Sequence, residues 1–254
     1  MTKVVAVGGC HIHGYPVGIP GFMSFASRLL RREGVEHSCS LHGTLNLNSI
    51  PTIATILREQ QPDVLIVQMG NYEFQSDLLR RTRKLIGLSS SPKHSKILMV
   101  EHRVATTDPY RIFSPTKIQR LKLMAKHVWV ELFGRYLIDV ATSSARAKKF
   151  FAWLSEQNTK HVVILSPLPA FDQTVQPLRK IGASLFRTLS RKYNFDYIDA
   201  MRLVGERKDF FFDNIHLNAY GHELVGQAVA EAIVQKQHYE QESEVYSASY
   251  YQEV

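Results

Sequence analysis

Lys3-Val4-Val5-Ala6-Val7-Gly8-Gly9-Cys10 decides how the rest of the chain is read. An uninterrupted apolar run rich in β-branched residues suits a strand buried on both faces, and the Gly-Gly pair ends it. Such a strand, without polar alternation, belongs to a parallel sheet covered by helices on each side. The pattern recurs at Val64–Met69, introduced by Pro62-Asp63, and at His161–Leu165, which ends in Ser166-Pro167-Leu168-Pro169. Glu36–Leu41 is a weaker strand and Phe195–Ile198 a short one. Helical periodicity fills the gaps. Gly21–Arg32 gathers Phe22, Phe25, Ala26, Leu29 and Leu30 on one face, and Ile50–Arg58 has Pro51 in its first turn. Pro177–Tyr193 follows, and Tyr220–Gln235 turns Leu224, Val225, Ala228 and Ile233 inward. Alternating strands and helices of this kind predict an α/β fold, a three-layer α/β/α sandwich around a mainly five-stranded parallel sheet.

The rhythm breaks after Gly70. Leu78–Leu88 reads as a basic helix, Ser89-Ser90-Ser91-Pro92 as a loop, and Ile97–Val100 as strand or helix. Pro115 opens a helical stretch to about Tyr136, and another helix covers Arg146–Trp153. This is more chain than a crossover needs, so residues 76–140 are expected to form a helical insertion or lid within one domain spanning 1–236. Residues 237–254 are polar and tyrosine-rich without periodicity, and are expected to be a mobile tail.

Charge is concentrated in the same place. The chain carries a formal +8, but Asp77–Lys149 holds sixteen Lys/Arg against five Asp/Glu, a net of +11, leaving about −3 elsewhere. One basic surface is expected to meet an acidic partner, such as an acyl-carrier protein, coenzyme A or an anionic membrane surface. Nucleic acid is not the expected partner, because no stacking platform or docking motif accompanies the basic helices. The opening apolar run is too short for a secretory core, and no stretch reaches the roughly 20 apolar residues of a membrane span. Cys10 and Cys39 make no disulfide framework, and Cys39, in mid-strand, reads as core. A cytoplasmic protein is expected.

In an open parallel sheet, ligands sit beyond the carboxyl ends of the strands. Those ends are Gly8-Gly9-Cys10, His42-Gly43, Gly70-Asn71 and Ser166-Pro167. A further group stands near the end of the chain, in Phe212-Asp213-Asn214-Ile215-His216-Leu217-Asn218-Ala219-Tyr220-Gly221-His222. An Asp three residues before a His can accept from one ring nitrogen and leave the other to act as a base. Gly8-Gly9 lacks the pattern of a dinucleotide loop, and no cofactor is expected. Cys10-His11-Ile12-His13 would crowd three ligands into four residues, too strained for tetrahedral zinc, so no metal is expected.

Asp213–His222 closely resembles the last conserved block of the SGNH, or GDSL-type, hydrolases. The other blocks of that family are matched at successive strand ends by Val7-Gly8-Gly9-Cys10, by Gly43 in Leu41-His42-Gly43-Thr44, and approximately by Gly70-Asn71-Tyr72-Glu73. The resemblance covers nearly the whole chain apart from 76–140 and the tail, and implies the flavodoxin-like sandwich of that family. It also implies a catalytic set of Cys10, His216 and Asp213, with an oxyanion hole from the amides of Cys10 and Gly43 and the side chain of Asn71. Two departures stand out. Cys10 replaces the family serine and Gly9 the neighbouring Asp, while an ungapped alignment puts Tyr72, not Asn71, at the Asn position. His11, Tyr72 and Pro167 are expected to contact substrate, and His222 to be a surface residue. The activity implied is cleavage of a small-molecule ester or thioester through a cysteine acyl-enzyme. The alternatives are an acyltransferase drawing on a coenzyme A or carrier-protein thioester, and an inactive SGNH-like binding module.

Overall fold

A computed structural model describes residues 1–74, 106–137, 140–172 and 175–250. Five strands form its sheet: β1 (Thr2–Gly8), β2 (His37–His42), β3 (Val64–Gln68), β4 (His161–Leu165) and β5 (Asp196–Ile198). All neighbours are parallel, in the order β2-β1-β3-β4-β5. The helices are α1 (Phe22–Arg32), α2 (Ile50–Gln60), α3 (Lys117–Leu137), α4 (Val140–Ser155), α5 (Gln176–Lys192), α6 (Ala200–Val204) and α7 (Ala219–Tyr250).

The uninterrupted apolar strands feed two cores at once. Val4, Ala6, Val64, Ile66, Val163 and Leu165 pack with Phe22, Met23, Ala26 and Leu30 of α1 and Val225, Val229 and Ile233 of α7. The alternate residues Val5, Val7, Leu65, Val67, Val162 and Ile164 pack with α2, α4 and α5 through Ile53, Phe150, Phe151, Leu178 and Phe186. The two-residue side-chain period of a strand makes this division. Every residue of the central strands β3 and β4 is buried. Truncating a fully buried phenylalanine in such a layer costs about 3–5 kcal/mol.

Strand order places the crevice. The chain runs outward from β1 to β2, then returns to the other side of β1 to lay down β3. The loops leaving β1 and β3 therefore diverge, the switch point at which open α/β sheets bind ligands. Gly8 ends β1 opposite Gln68, and a Cβ on Gly8 would collide with the Gln68 carbonyl oxygen. The close approach of the two strand ends thus requires glycine.

Three expectations are corrected. Cys39 is exposed, not core, because β2 is the edge strand and pairs on one side only. His222 is fully buried, not on the surface, because the first turn of α7 packs into the domain. Helix α7 does not stop near Gln235 but continues to Tyr250, through most of the expected tail. A helix nucleated by packing of its first turns extends through following sequence that has no Gly or Pro to stop it, as Lys236–Tyr250 has none. The readings of Leu78–Leu88, Ser89–Pro92 and Ile97–Val100 fall outside the described residues. The short α6, capped by the Asp199 side chain on the Arg202 amide, had no periodicity by which to be found.

Candidate active site

Cys10 opens a one-turn 3-10 helix, Cys10–Ile12, directly after β1. Gly9 is held by Gln68, whose backbone and side-chain oxygens accept its amide at 3.2 and 3.3 Å. Gly14 N–H donates to the Cys10 carbonyl at 3.1 Å. The Cys10 amide belongs to the first turn, where backbone donors have no intrahelical acceptor. The thiol itself is partly exposed.

His216 arrives from the opposite end of the chain on a closed loop. Phe211 and Leu217 form an antiparallel bridge, and Phe212 N–H donates to the His216 carbonyl at 2.9 Å. Within this loop Asp213 serves both backbone and ring. Its Oδ1 accepts the amides of Ile215 at 2.8 Å and His216 at 2.7 Å, and its Oδ2 meets His216 Nδ1 at 2.8 Å. That fixes the tautomer and leaves Nε2 as the open ring nitrogen, with Cys10 near enough to bear on the charge of the ring. Burial disfavours the charged imidazole. The hydrogen bonds and charges of Asp213 and Cys10 overcome this and raise its pKa to about 9. Burial likewise works against the Asp213 carboxylate, yet its bonds to His216 and Ile215 pull its pKa below the usual value. Residues more than two hundred positions apart in sequence thus meet at one end of the sheet.

Asn71 and Gly43, the other expected oxyanion donors, are brought to the same end of the sheet, each with its own partner. Gly70 takes a left-handed φ of 91° as the chain leaves β3. Asn71 follows, buried, with its Oδ1 accepting Leu168 N–H at 2.7 Å. The carbonyl end is thereby anchored, and the NH2 end is the donor it can offer. Gly43 N–H donates to His13 Nε2 at 3.1 Å. A Cβ at Gly43 would lie 2.5 Å from His13 Cδ2, so only glycine admits the ring. An imidazole nitrogen sits where the family resemblance expects a substrate oxygen.

The expected substrate contacts divide. Tyr72 is partly exposed, and its ring lies over Gly9, with Cε2 3.4 Å from where a Cβ would stand. Pro167 is buried and packs behind Gly70. His11 is 1% exposed and lies beneath His216, ring centroids 5.5 Å apart, so it backs the base and not the open mouth. On its far side His222 follows at 5.3 Å. Burial, and then the charge of His216, lowers the His222 pKa to about 3. His11 is lowered by burial and by its neighbours His222, His216 and Arg179. Tyr15 covers His216 from another side at 4.1 Å.

Several contributors went unread in the sequence. Arg179, within a helix whose other basic residues face solvent, is 3% exposed and donates through Nη1 to the carbonyls of Leu168 at 2.8 Å and Pro169 at 3.1 Å. Burial lowers its pKa to about 10, against the negative potential of Cys10, Asp172, Tyr72 and Asp213. It therefore puts a fixed positive charge beneath the site and holds the loop on which Asn71 is anchored. Asp172 N–H donates to the Asn214 carbonyl at 2.9 Å, tying that loop to the histidine loop. Half-buried Glu73 accepts Leu47 N–H at 2.7 Å. The segment before α3 also braces the site: Phe113 N–H donates to the Phe211 carbonyl at 2.8 Å, and Asn218 Nδ2 to the Arg111 carbonyl at 3.1 Å. Only the glycine and proline punctuation around β4 hinted at these loops. Among the described residues, no set of three or more His, Cys, Asp or Glu side chains is arranged to hold a metal ion.

No protein-family model matches the sequence, and no curated protein matches it. Solved structures do. A lipase/acylhydrolase from Enterococcus faecalis aligns with a TM-score of 0.59 at 15% identity, over 93% of this chain and 97% of its own. An acetylxylan esterase from Geobacillus stearothermophilus gives 0.56 at 9% identity, over 91% and 94%. A protein described as lipolytic and of the G-D-S-L family, from Desulfitobacterium hafniense, gives 0.53 at 15%, over 91% and 99%. Across nearly its whole length, then, the chain has the α/β sandwich fold of the SGNH hydrolase type.

Proposed function

We propose that this chain is an ester or thioester hydrolase of SGNH type, with Cys10 as nucleophile, His216 as acid and base, and Asp213 as its orienting carboxylate. The reading rests above all on the Asp213–His216 hydrogen bond at the switch point of the sheet, with Cys10 among the groups that raise the His216 pKa to about 9. A histidine protonated at neutral pH beside sulfur suits a thiolate–imidazolium pair, the activated state of a cysteine nucleophile.

The thiolate attacks the carbonyl carbon and the carbonyl π electrons move to oxygen. The Cys10 amide and the Asn71 NH2 group stabilise that oxygen. Gly43 N–H joins them once the oxygen displaces His13 Nε2. The tetrahedral intermediate collapses to a thioester on Cys10 as His216 Nε2–H protonates the leaving alkoxide or thiolate. Now neutral, His216 takes a proton from water, which attacks the thioester and releases the acid. The Arg179 charge favours each anionic state.

Incubation with p-nitrophenyl acetate, followed by intact-mass measurement, tests this. One acetyl group should appear on the wild-type chain and map to Cys10, and none should appear on Cys10→Ala. If Cys10→Ala releases nitrophenol as fast as the parent, the nucleophile is elsewhere.

A further inference from the structure

Helix α3 carries a row of exposed large apolar side chains. Ile118, Leu121, Met124, Val128 and Leu132 are 68%, 66%, 65%, 53% and 68% exposed. With Ala125 they advance along the helix in steps of three and four, so they form one continuous apolar stripe. The helix makes no extended packing with another element among the described residues. An apolar stripe of this length open to water calls for a cover.

The charges decide between covers. Within Lys117–Leu137 stand Lys117, Arg120, Lys122, Lys126 and Arg135, against Glu131 alone. Lys117, Arg120 and Lys122 are exposed. A stripe stepping by three and four could seat a second copy of the same helix, but two such copies would set positive flank against positive flank. The same excess favours an anionic surface. Among the described side chains Arg120 and Lys122 border the stripe on its two edges and Lys117 stands at its start, positions from which long cationic side chains reach lipid phosphates while their aliphatic neighbours lie deeper. The apolar exposure runs back along the chain to Ile112 and Tyr110 at 45% and 42%. Their segment is hydrogen-bonded to the loops around His216, with Ala219 N–H donating to the Pro109 carbonyl at 2.9 Å.

We propose that α3 docks this protein on an anionic lipid bilayer, burying the Ile118–Leu132 stripe at headgroup depth and setting its lysines and arginines against lipid phosphates. The candidate active site then lies beside the lipid surface. Docking needs no turnover, so it stands or falls separately from the hydrolase reading.

The test is sedimentation of the full-length Cys10→Ala protein with vesicles of phosphatidylglycerol and phosphatidylcholine, and with phosphatidylcholine alone. Binding should require the anionic lipid and weaken as salt is raised, because each basic residue near such a surface contributes about fivefold. Leu121→Glu with Val128→Glu should lower binding at least tenfold with an unchanged melting temperature, since neither side chain is buried in the domain. Lys117→Glu with Lys122→Glu should do the same. Equal binding to both vesicle types, or full binding by the double variants, overturns the proposal. So does a dimer in sedimentation velocity that the Leu121/Val128 variant dissociates, which would assign the stripe to a second copy.

Discussion

Replacing Asp213 by Asn changes one atom type at the point where the geometry carries most of its consequence. Asn Oδ1 can still accept the amides of Ile215 and His216, now 2.8 and 2.7 Å from Asp213 Oδ1, so the loop should keep its shape. What is lost is the negative acceptor at 2.8 Å from His216 Nδ1. His216 is nearly buried, and burial alone would push it below the ordinary 6.5, whereas the folded value is about 9. A return to 6.5 would correspond to about 3 kcal/mol at about 1.4 kcal/mol per pKa unit. Asp213 is about a third open to solvent, and Cys10 continues to support the charged ring. Part of that energy is therefore screened or retained, and a fall of at least one unit is the expected outcome. The neutral ring in the variant also prefers the wrong tautomer, since an amide NH2 at position 213 would donate to Nδ1. In a serine-protease triad that change costs roughly 10⁴ in rate. Here a loss of 10²–10⁴ in kcat/KM on p-nitrophenyl acetate is expected. NMR titration of the His216 ring gives the first quantity and steady-state kinetics the second. A His216 pKa still near 9, with activity within fivefold of the parent, would refute the reasoning.

Asn71→Asp separates anchor from donor. The carboxylate can still accept Leu168 N–H, but it offers no NH2 group to an oxyanion, so kcat should fall by about 10²–10³; a fall below fivefold would remove Asn71 from the hole. His13→Ala vacates the acceptor now on Gly43 N–H. A severalfold rise in kcat/KM at pH 7 is expected, and a tenfold loss would make the ring a participant instead. The buried histidines set a pH dependence of stability with a definite sign. His222, lowered to about 3, stabilises the fold above 6.5 and loses that contribution as pH falls from 6.5 toward 3, about 2 kcal/mol of it by pH 5. His216, raised to about 9, contributes fully below 6.5 and loses its contribution as pH rises from 6.5 through 9. Urea unfolding of His222→Phe should show a flatter acid limb than the parent; an identical limb would assign the acid sensitivity elsewhere.

The sheet was legible in the sequence because burial on both faces leaves an unmistakable record. β3 and β4 read as apolar runs, since every position in them meets one core or the other. β2 read less clearly because an edge strand carries His37, Ser38 and Ser40 with little loss, and the same looseness misled the reading of Cys39. Asp213 and His216 could be found because their pairing is local, three residues apart on one loop. Arg179 could not. Its two acceptors lie ten and eleven residues back on another loop, and in sequence it resembles the other basic positions of an amphipathic helix. Gly43 was expected from the family resemblance, at the end of a strand, and its present partner is His13, thirty residues earlier. Contacts between loops leave no periodicity, and periodicity was the main source of the reading.

The stack His216–His11–His222 shows how packing can set chemistry at one remove. Three imidazoles with successive centroids 5.5 and 5.3 Å apart cannot all be charged in a buried site. Only His216 has a carboxylate, that of Asp213, hydrogen-bonded to its ring, so the proton resides there. Burial and the charge of His216 keep the other two neutral. Neutral rings offer a polarisable backing to the imidazolium without competing for its proton. A solvent-filled backing would instead screen the pair, and with it the bias toward the charged state on which a cysteine nucleophile depends. Burying two histidines therefore costs stability in acid, and the same burial confines the proton to the one ring paired with Asp213.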